Sequence, residues 1–265
     1  MIRLVLALVL LCGGCAPAGC DGPALAFRSP TGINHYVAAG DMASGGGGSW
    51  AFIQGNSSYT AGGSSTPPVV LAYGANVTGG SMLVAGVKCY PGSGTVTLTT
   101  SLGQNFVEIG AGFNYQGRDH HFFYLKNASA GSTTVTASGS YSPGTYFDFG
   151  SIPMVIAEYS GLSTSAPLAD QSTKSDAGSY YTMATASVTA TANGLLLVLA
   201  SNDDGDRAIV PDAAFTGRAS VNIPTNPGFQ LLELTAPTSA GATGSLTVGA
   251  VVNSYWSTIA AAFSL

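Results

Sequence analysis

Nine consecutive residues, Arg118-Asp119-His120-His121-Phe122-Phe123-Tyr124-Leu125-Lys126, hold two of the three histidines of the chain. On a strand, His120, Phe122, Tyr124 and Lys126 share one face, and Asp119, His121, Phe123 and Leu125 the other. His120, Tyr124 and Lys126 then combine an aromatic ring with polar groups, the mixture that orients a sugar in a groove. Adjacent histidines could ligate zinc, but on a strand they point to opposite faces, which argues against one shared ion. The plainer expectation makes His121 a hydrogen-bonded core residue and His120 an exposed one.

A second candidate is the stretch from Tyr141 to Phe149, broken by Pro143 and Gly144. Tyr146 and Asp148 offer a ring beside a carboxylate for a sugar or a protein partner. The alternative is a small core tucked under a long loop. A third is Asn202-Asp203-Asp204-Gly205-Asp206-Arg207. Asp203, Asp204 and Asp206 in a Gly-containing turn supply oxygen ligands for calcium, though not at EF-hand spacing. The alternative is a solvated turn in which Arg207 balances one charge. Calcium is the only cofactor that these patterns suggest.

Catalytic signatures are sparse. G-x-S-x-G and H-E-x-x-H are both absent. The glutamates Glu108, Glu158 and Glu233 are isolated in sequence, so a glycosidase pair would need two of them to converge in space. Cys89 is the one cysteine of the body and reads as a small core residue, with no base beside it in sequence to activate it.

These groups must be held by strands. The stretch Ile152-Pro-Met-Val-Ile-Ala-Glu-Tyr-Ser-Gly-Leu162 is a short apolar run closed by a turn signal. Met154, Ile156 and Glu158 fall on one face and Val155, Ala157 and Tyr159 on the other. Both faces are largely apolar, which places this strand inside a sheet covered on both sides. Glu158 must then find a donor or take up a proton. From Trp50 onward similar short runs alternate with Gly, Asn, Asp and Pro, and no window sustains a helical period. Three segments, 69–87, 183–199 and 246–263, each read as a Thr/Val strand, a turn and a more apolar strand, which is the pattern of a hairpin. The expected fold is an all-β, two-sheet antiparallel β-sandwich of jelly-roll type.

The composition narrows the function classes. Charged residues are 8% of the 265-residue chain, hydrophobic residues 46%, and the net charge is −5. The chain can bury a core, and it has no basic stripe for nucleic acid. Its surface must be wetted by hydroxyls and amides. Arg3, the run Leu4–Leu11 and Ala16-Pro17-Ala18 read as a signal peptide over residues 1–18. Cys15 and Cys20 are rival sites of lipid anchoring, although Cys12 and Pro17 stand three residues before them, where a lipobox usually has Leu. Residues 19–49, ending in Gly45-Gly46-Gly47-Gly48-Ser49, read as a flexible tether, and 50–265 as the β-sandwich domain.

The order of several short pieces carries a resemblance. They are Trp50–Gln54, Gly79-Gly80-Ser81-Met82-Leu83-Val84, Thr100-Ser-Leu-Gly-Gln-Asn-Phe106, Phe123–Asn127, Ser132–Thr136, Glu158-Tyr159-Ser160-Gly161 and Trp256–Phe263. Over about residues 50–265 the chain resembles a family of bacterial and phage-associated extracellular β-sandwich domains of concanavalin-like, jelly-roll type. Thr100 stands where that pattern often has Asp. The resemblance implies a jelly-roll fold and no established activity. The expectation is an exported, non-catalytic protein, extracellular or at the cell surface, that serves adhesion or binds a glycan or another surface ligand. The alternatives are a structural subunit of a phage tail, capsid or filament, self-assembling through edge strands, and a polysaccharide-active enzyme.

Overall fold

The computed structural model describes residues 25–28, 34–37, 49–61, 68–89, 95–115, 118–140, 151–202, 209–223, 226–236 and 238–265. Residues 1–18, read as a signal peptide, and Tyr146, Asp148, Asp203, Asp204 and Asp206 lie outside these residues. All regular structure among them is β. The strands in chain order are β1 (Leu25–Arg28), β2 (Asn34–Val37), β3 (Ala51–Ala61), β4 (Val69–Ala72), β5 (Met82–Cys89), β6 (Thr95–Thr100), β7 (Val107–Glu108), β8 (Phe113–Tyr115), β9 (Arg118–Leu125) and β10 (Thr134–Ser140). They continue with β11 (Ser151–Ser160), β12 (Leu168–Ala184), β13 (Thr189–Ala190), β14 (Leu195–Asn202), β15 (Val210–Pro211), β16 (Phe215–Ile223), β17 (Asn226–Leu234), β18 (Gly241–Ala242) and β19 (Thr247–Phe263).

Every strand pairing is antiparallel. A central sheet runs β1-β2-β3-β11-β5-β9-β7, with β8 also on β9. A three-stranded sheet, β4-β10-β6, covers one of its faces, and a sheet of β12-β19-β14-β17-β16, with β15 on β19, covers the other. A small β13-β18 pair completes the set.

Two-sided burial explains this stacking. In β5 every residue is buried. Leu83, Ala85, Val87 and Cys89 enter the core shared with the three-stranded sheet, where Val69, Leu71, Leu98 and Val135 meet them. Met82 and Val84 enter the core shared with the six-stranded sheet, among Leu195, Leu197, Leu199 and Phe229. β14 is likewise buried throughout, and Val198 and Ala200 pack with Met183, Leu232 and Trp256 on its far side. Each fully buried Leu or Phe stabilises by about 1.5–3 kcal/mol, so such strands must lie between layers. Gly86 marks the closest approach: a Cβ there would fall on the Leu199 side chain. In β11 the parity holds as expected: Met154 and Ile156 lie in the first core, and Val155, Ala157 and Tyr159 in the second.

Several expectations need correction. The three hairpins do not form. β4 and β5 belong to different sheets, β13 and β14 likewise, and 247–263 is one continuous strand. In the first two segments the turn signals mark crossings between layers, and in the third the strand runs through them. The polar stretch at the start of β12, Leu168-Ala-Asp-Gln-Ser-Thr-Lys-Ser-Asp176, is a strand although it lacks apolar alternation, because it pairs along β19. Apart from these corrections, β1 and β2, which fall within residues 19–49, pair with each other, and Tyr36 of β2 pairs with Gly55 of β3.

Candidate functional site

β9 presents its two faces to two different cores, and this sets the surroundings of His120, Tyr124 and Lys126. His120 is buried, with Nδ1 3.3 Å from Ser257 Oγ, and its ring stacks on Phe113. Tyr124 is half-buried, edge-on to Phe263 with ring centroids 6.0 Å apart. Lys126 is exposed just beyond the strand and donates to the Ser165 carbonyl. The face carrying His120 and Tyr124 therefore packs against the six-stranded sheet rather than lining an open groove. The expected exposure of His120 is corrected for the same reason: a further sheet covers that side. Beside it, Lys88 is buried and donates from Nζ to Ser201 Oγ at 3.0 Å and to the Asn202 carbonyl at 3.3 Å. Ser201 and Ser257 are neighbours across β14 and β19 and are themselves buried. These groups link the two sheets by polar contacts; as hydroxyl nucleophiles they would be closed to a substrate.

The opposite face at the same end of the sheet gathers a different set. Cys89 stands directly across from Asp119 in the β5–β9 ladder, and His121 lies two residues along on the same face. Their ligand atoms all lie within 4.8 Å of one another. Glu108 pairs with Phe123, which puts it on this face too, and its Oε1 is 2.6 Å from His121 Nδ1. Asn114 Nδ2 donates to Asp119 Oδ1 at 2.6 Å. The Cys89 thiol is pushed up to about 12, first by burial and then by the Asp119 and Glu108 carboxylates. As a bare thiol it is therefore not a nucleophile at neutral pH. His121 is a buried, hydrogen-bonded histidine, as expected. That a base lies near Cys89 was missed, because it follows from strand register.

The three glutamates do not converge. Glu158 is fully buried on the side of the three-stranded sheet, where Oε2 accepts from Gln54 Nε2 at 2.6 Å and Oε1 from the Thr78 amide at 2.7 Å. Glu233 is on the other side of the central sheet, gripped at both oxygens by Arg218 Nε and Nη2 at 2.7 and 2.6 Å. The Arg218 guanidinium also lies over the Phe52 ring, 4.5 Å from its centroid. Glu108 holds His121. Each carboxylate is thus committed to its own partner, and no pair flanks a common groove.

What is open to solvent is the outer face of the three-stranded sheet. The inward residues Val69, Leu71, Val96, Leu98, Val135 and Ala137 are buried. Parity turns Val70, Ala72, Thr95, Thr97, Thr99, Thr134, Thr136 and Ser138 outward, and each is exposed or half-exposed. The register sets Thr136 between Thr99 and Val70, Ser138 beside Thr97 and Thr134 beside Ala72. Side chains of one face repeat about every 6.6–6.8 Å along a strand and about 4.8 Å across strands, so the hydroxyls form a regular uncharged array.

Comparison of the chain with protein-family models, with curated proteins and with solved structures finds no match in any of the three.

Proposed function

We propose that the chain is an exported, non-catalytic adhesion protein that binds a neutral, hydroxyl-rich polymer of the glycan class. The observation that carries this reading is the uncharged Ser/Thr array on the outer face of the three-stranded sheet. Hydroxyls both donate and accept, so a flat array of them suits a partner that is itself covered in hydroxyls. Glu158 and Glu233 serve as internal struts on opposite sides of the central sheet, each held by its own donors rather than paired for glycoside hydrolysis. A jelly-roll topology belongs to the proposal: between β3 and β11 the chain enters the three-stranded sheet three times, at β4, β6 and β10, and returns each time to the central one.

The test is a glycan array probed with the wild-type chain and with the double variant Thr97→Lys/Thr136→Lys. Binding by the wild type that is lost in the variant, at an unchanged melting temperature, is the expected result. Binding retained by the variant would place the contact elsewhere. Self-association that depends on the same face, with no glycan bound, would favour the structural-subunit alternative instead.

A further inference from the structure

We propose that Cys89, Asp119 and His121 bind a divalent transition-metal ion, for which zinc is the best fit. The first ground is placement. Cys89 and Asp119 are cross-strand partners, and His121 follows on the same face, so three potential ligands come from two adjacent rigid strands. Their donor atoms lie within 4.8 Å of one another. Zinc bonds of about 2.0–2.3 Å in a tetrahedron set ligand atoms about 3.3–3.8 Å apart, within reach of small side-chain adjustments.

The second ground is independent. His121 is 5% exposed, and its Nε2 has no hydrogen-bond partner among the described residues. A buried ring nitrogen without a partner costs free energy unless something binds it. Glu108 engages Nδ1 from the β7 side of β9, whereas Cys89 comes from the β5 side. Glu108 therefore holds the proton on Nδ1 and leaves the Nε2 lone pair as the ligand atom. A carboxylate on the far nitrogen of a metal-bound histidine is the usual support for such a ligand. Asp119 is steadied in the same way at Oδ1 by Asn114, with Oδ2 left to serve.

The donor set selects the ion. One sulfur, one imidazole nitrogen and one carboxylate oxygen suit zinc and its transition-metal neighbours, whereas calcium and magnesium take oxygen ligands alone. Binding converts the thiol to a thiolate and releases its proton to solvent. The ion then neutralises charge where two carboxylates and a sulfur meet. It would tie β5 to β9 at the end of the central sheet, with a fourth position left for water.

The experiment uses the full chain with Cys12, Cys15 and Cys20 changed to Ala, so that Cys89 is the only thiol. After chelator treatment and dialysis, cobalt(II) is titrated in and followed by absorption, and zinc is then added in competition. The expected result is one equivalent of cobalt with a thiolate-to-cobalt band in the near ultraviolet and visible bands of tetrahedral strength, all displaced by one equivalent of zinc. Cys89→Ala should abolish the ultraviolet band, and Asp119→Asn should weaken cobalt binding by tenfold or more, on the order of 1.4 kcal/mol. If Cys89→Ala does not fold, protection of the wild-type thiol from alkylation by one equivalent of zinc, under urea that opens the chelated chain, gives the same reading. Absence of the ultraviolet band, its persistence in Cys89→Ala, or a thiol alkylated equally with and without zinc would overturn the proposal.

Discussion

Replacing Glu158 separates a buried carboxylate that holds the fold from one that merely sits there. The side chain is fully buried and accepts two hydrogen bonds, at 2.6 Å from Gln54 Nε2 and 2.7 Å from the Thr78 amide. Leu is somewhat larger than Glu, so Glu158→Leu opens no cavity and mainly removes both acceptors. Hydrogen bonds to a charged group contribute about 1.5–3 kcal/mol each. Gln54 Nε2 keeps a second acceptor, the Ala75 carbonyl at 3.3 Å, and Thr78 is exposed enough for water to reach. The loss for Leu is therefore toward the lower end, about 3 kcal/mol. In Glu158→Gln the amide oxygen still serves one donor while the amide nitrogen opposes the other, which sets its loss at about 1–2 kcal/mol. Urea unfolding at constant m-value is the assay. For a chain of this size the Leu variant should melt about 6–12 °C lower. Equal losses for the two variants, or no loss in either, would refute the claim that these two bonds hold the strand.

Three further outcomes follow from the same geometry. Arg218→Ala leaves the Glu233 carboxylate buried without its guanidinium and should cost about 3–5 kcal/mol in denaturant; Arg218→Lys should recover part of this, since it keeps the charge but loses the two-pronged grip. Gly86→Ala drives a methyl into Leu199 between the central and six-stranded sheets and should cost about 1–3 kcal/mol, measured the same way. Tyr73 and Tyr159 have pKa values well above the ordinary tyrosine range, in each case chiefly through burial, with Glu158 adding to the first and Glu233 to the second. Because the raised pKa favours the neutral phenol in the folded chain, their contribution to stability is complete below about pH 10 and lost as the pH rises toward the folded values. Absorbance at alkaline pH should then show two tyrosines ionising only together with unfolding; their titration in an intact fold would contradict this.

Much of the layering could be read from residue order alone. β11 is apolar on both parities, and that pattern has one physical cause, cover on both faces, which also singled out Glu158 as a buried group in need of donors. β12 escaped because Asp170 to Asp176 carry no alternation; that strand is held by its pairing with β19. For β9, alternation correctly divided His120 and Tyr124 from His121 and Phe123 but could not say which face meets another sheet. Polar tips suggested solvent, yet Ser257 supplies a buried partner for His120. The Cys89, Asp119 and His121 cluster depends on the register of β5 against β9, about thirty residues apart in the chain, and no local signal encodes that register. The Ser/Thr array was present in sequence as Thr95-Val-Thr-Leu-Thr99 and Thr134-Val-Thr-Ala-Ser138, but only the pairing of β6 with β10 makes it one surface.

The central claim is contact with a hydroxyl-rich polymer through that outer sheet face. It is tested most directly by the dissociation constant of the best array glycan, measured for the wild type and for Thr97→Lys/Thr136→Lys. The account predicts that affinity falls by about tenfold or more, on the order of 1.4 kcal/mol, while the urea midpoint stays fixed. Equal affinity in both proteins, or a wild type that binds no glycan, would contradict it.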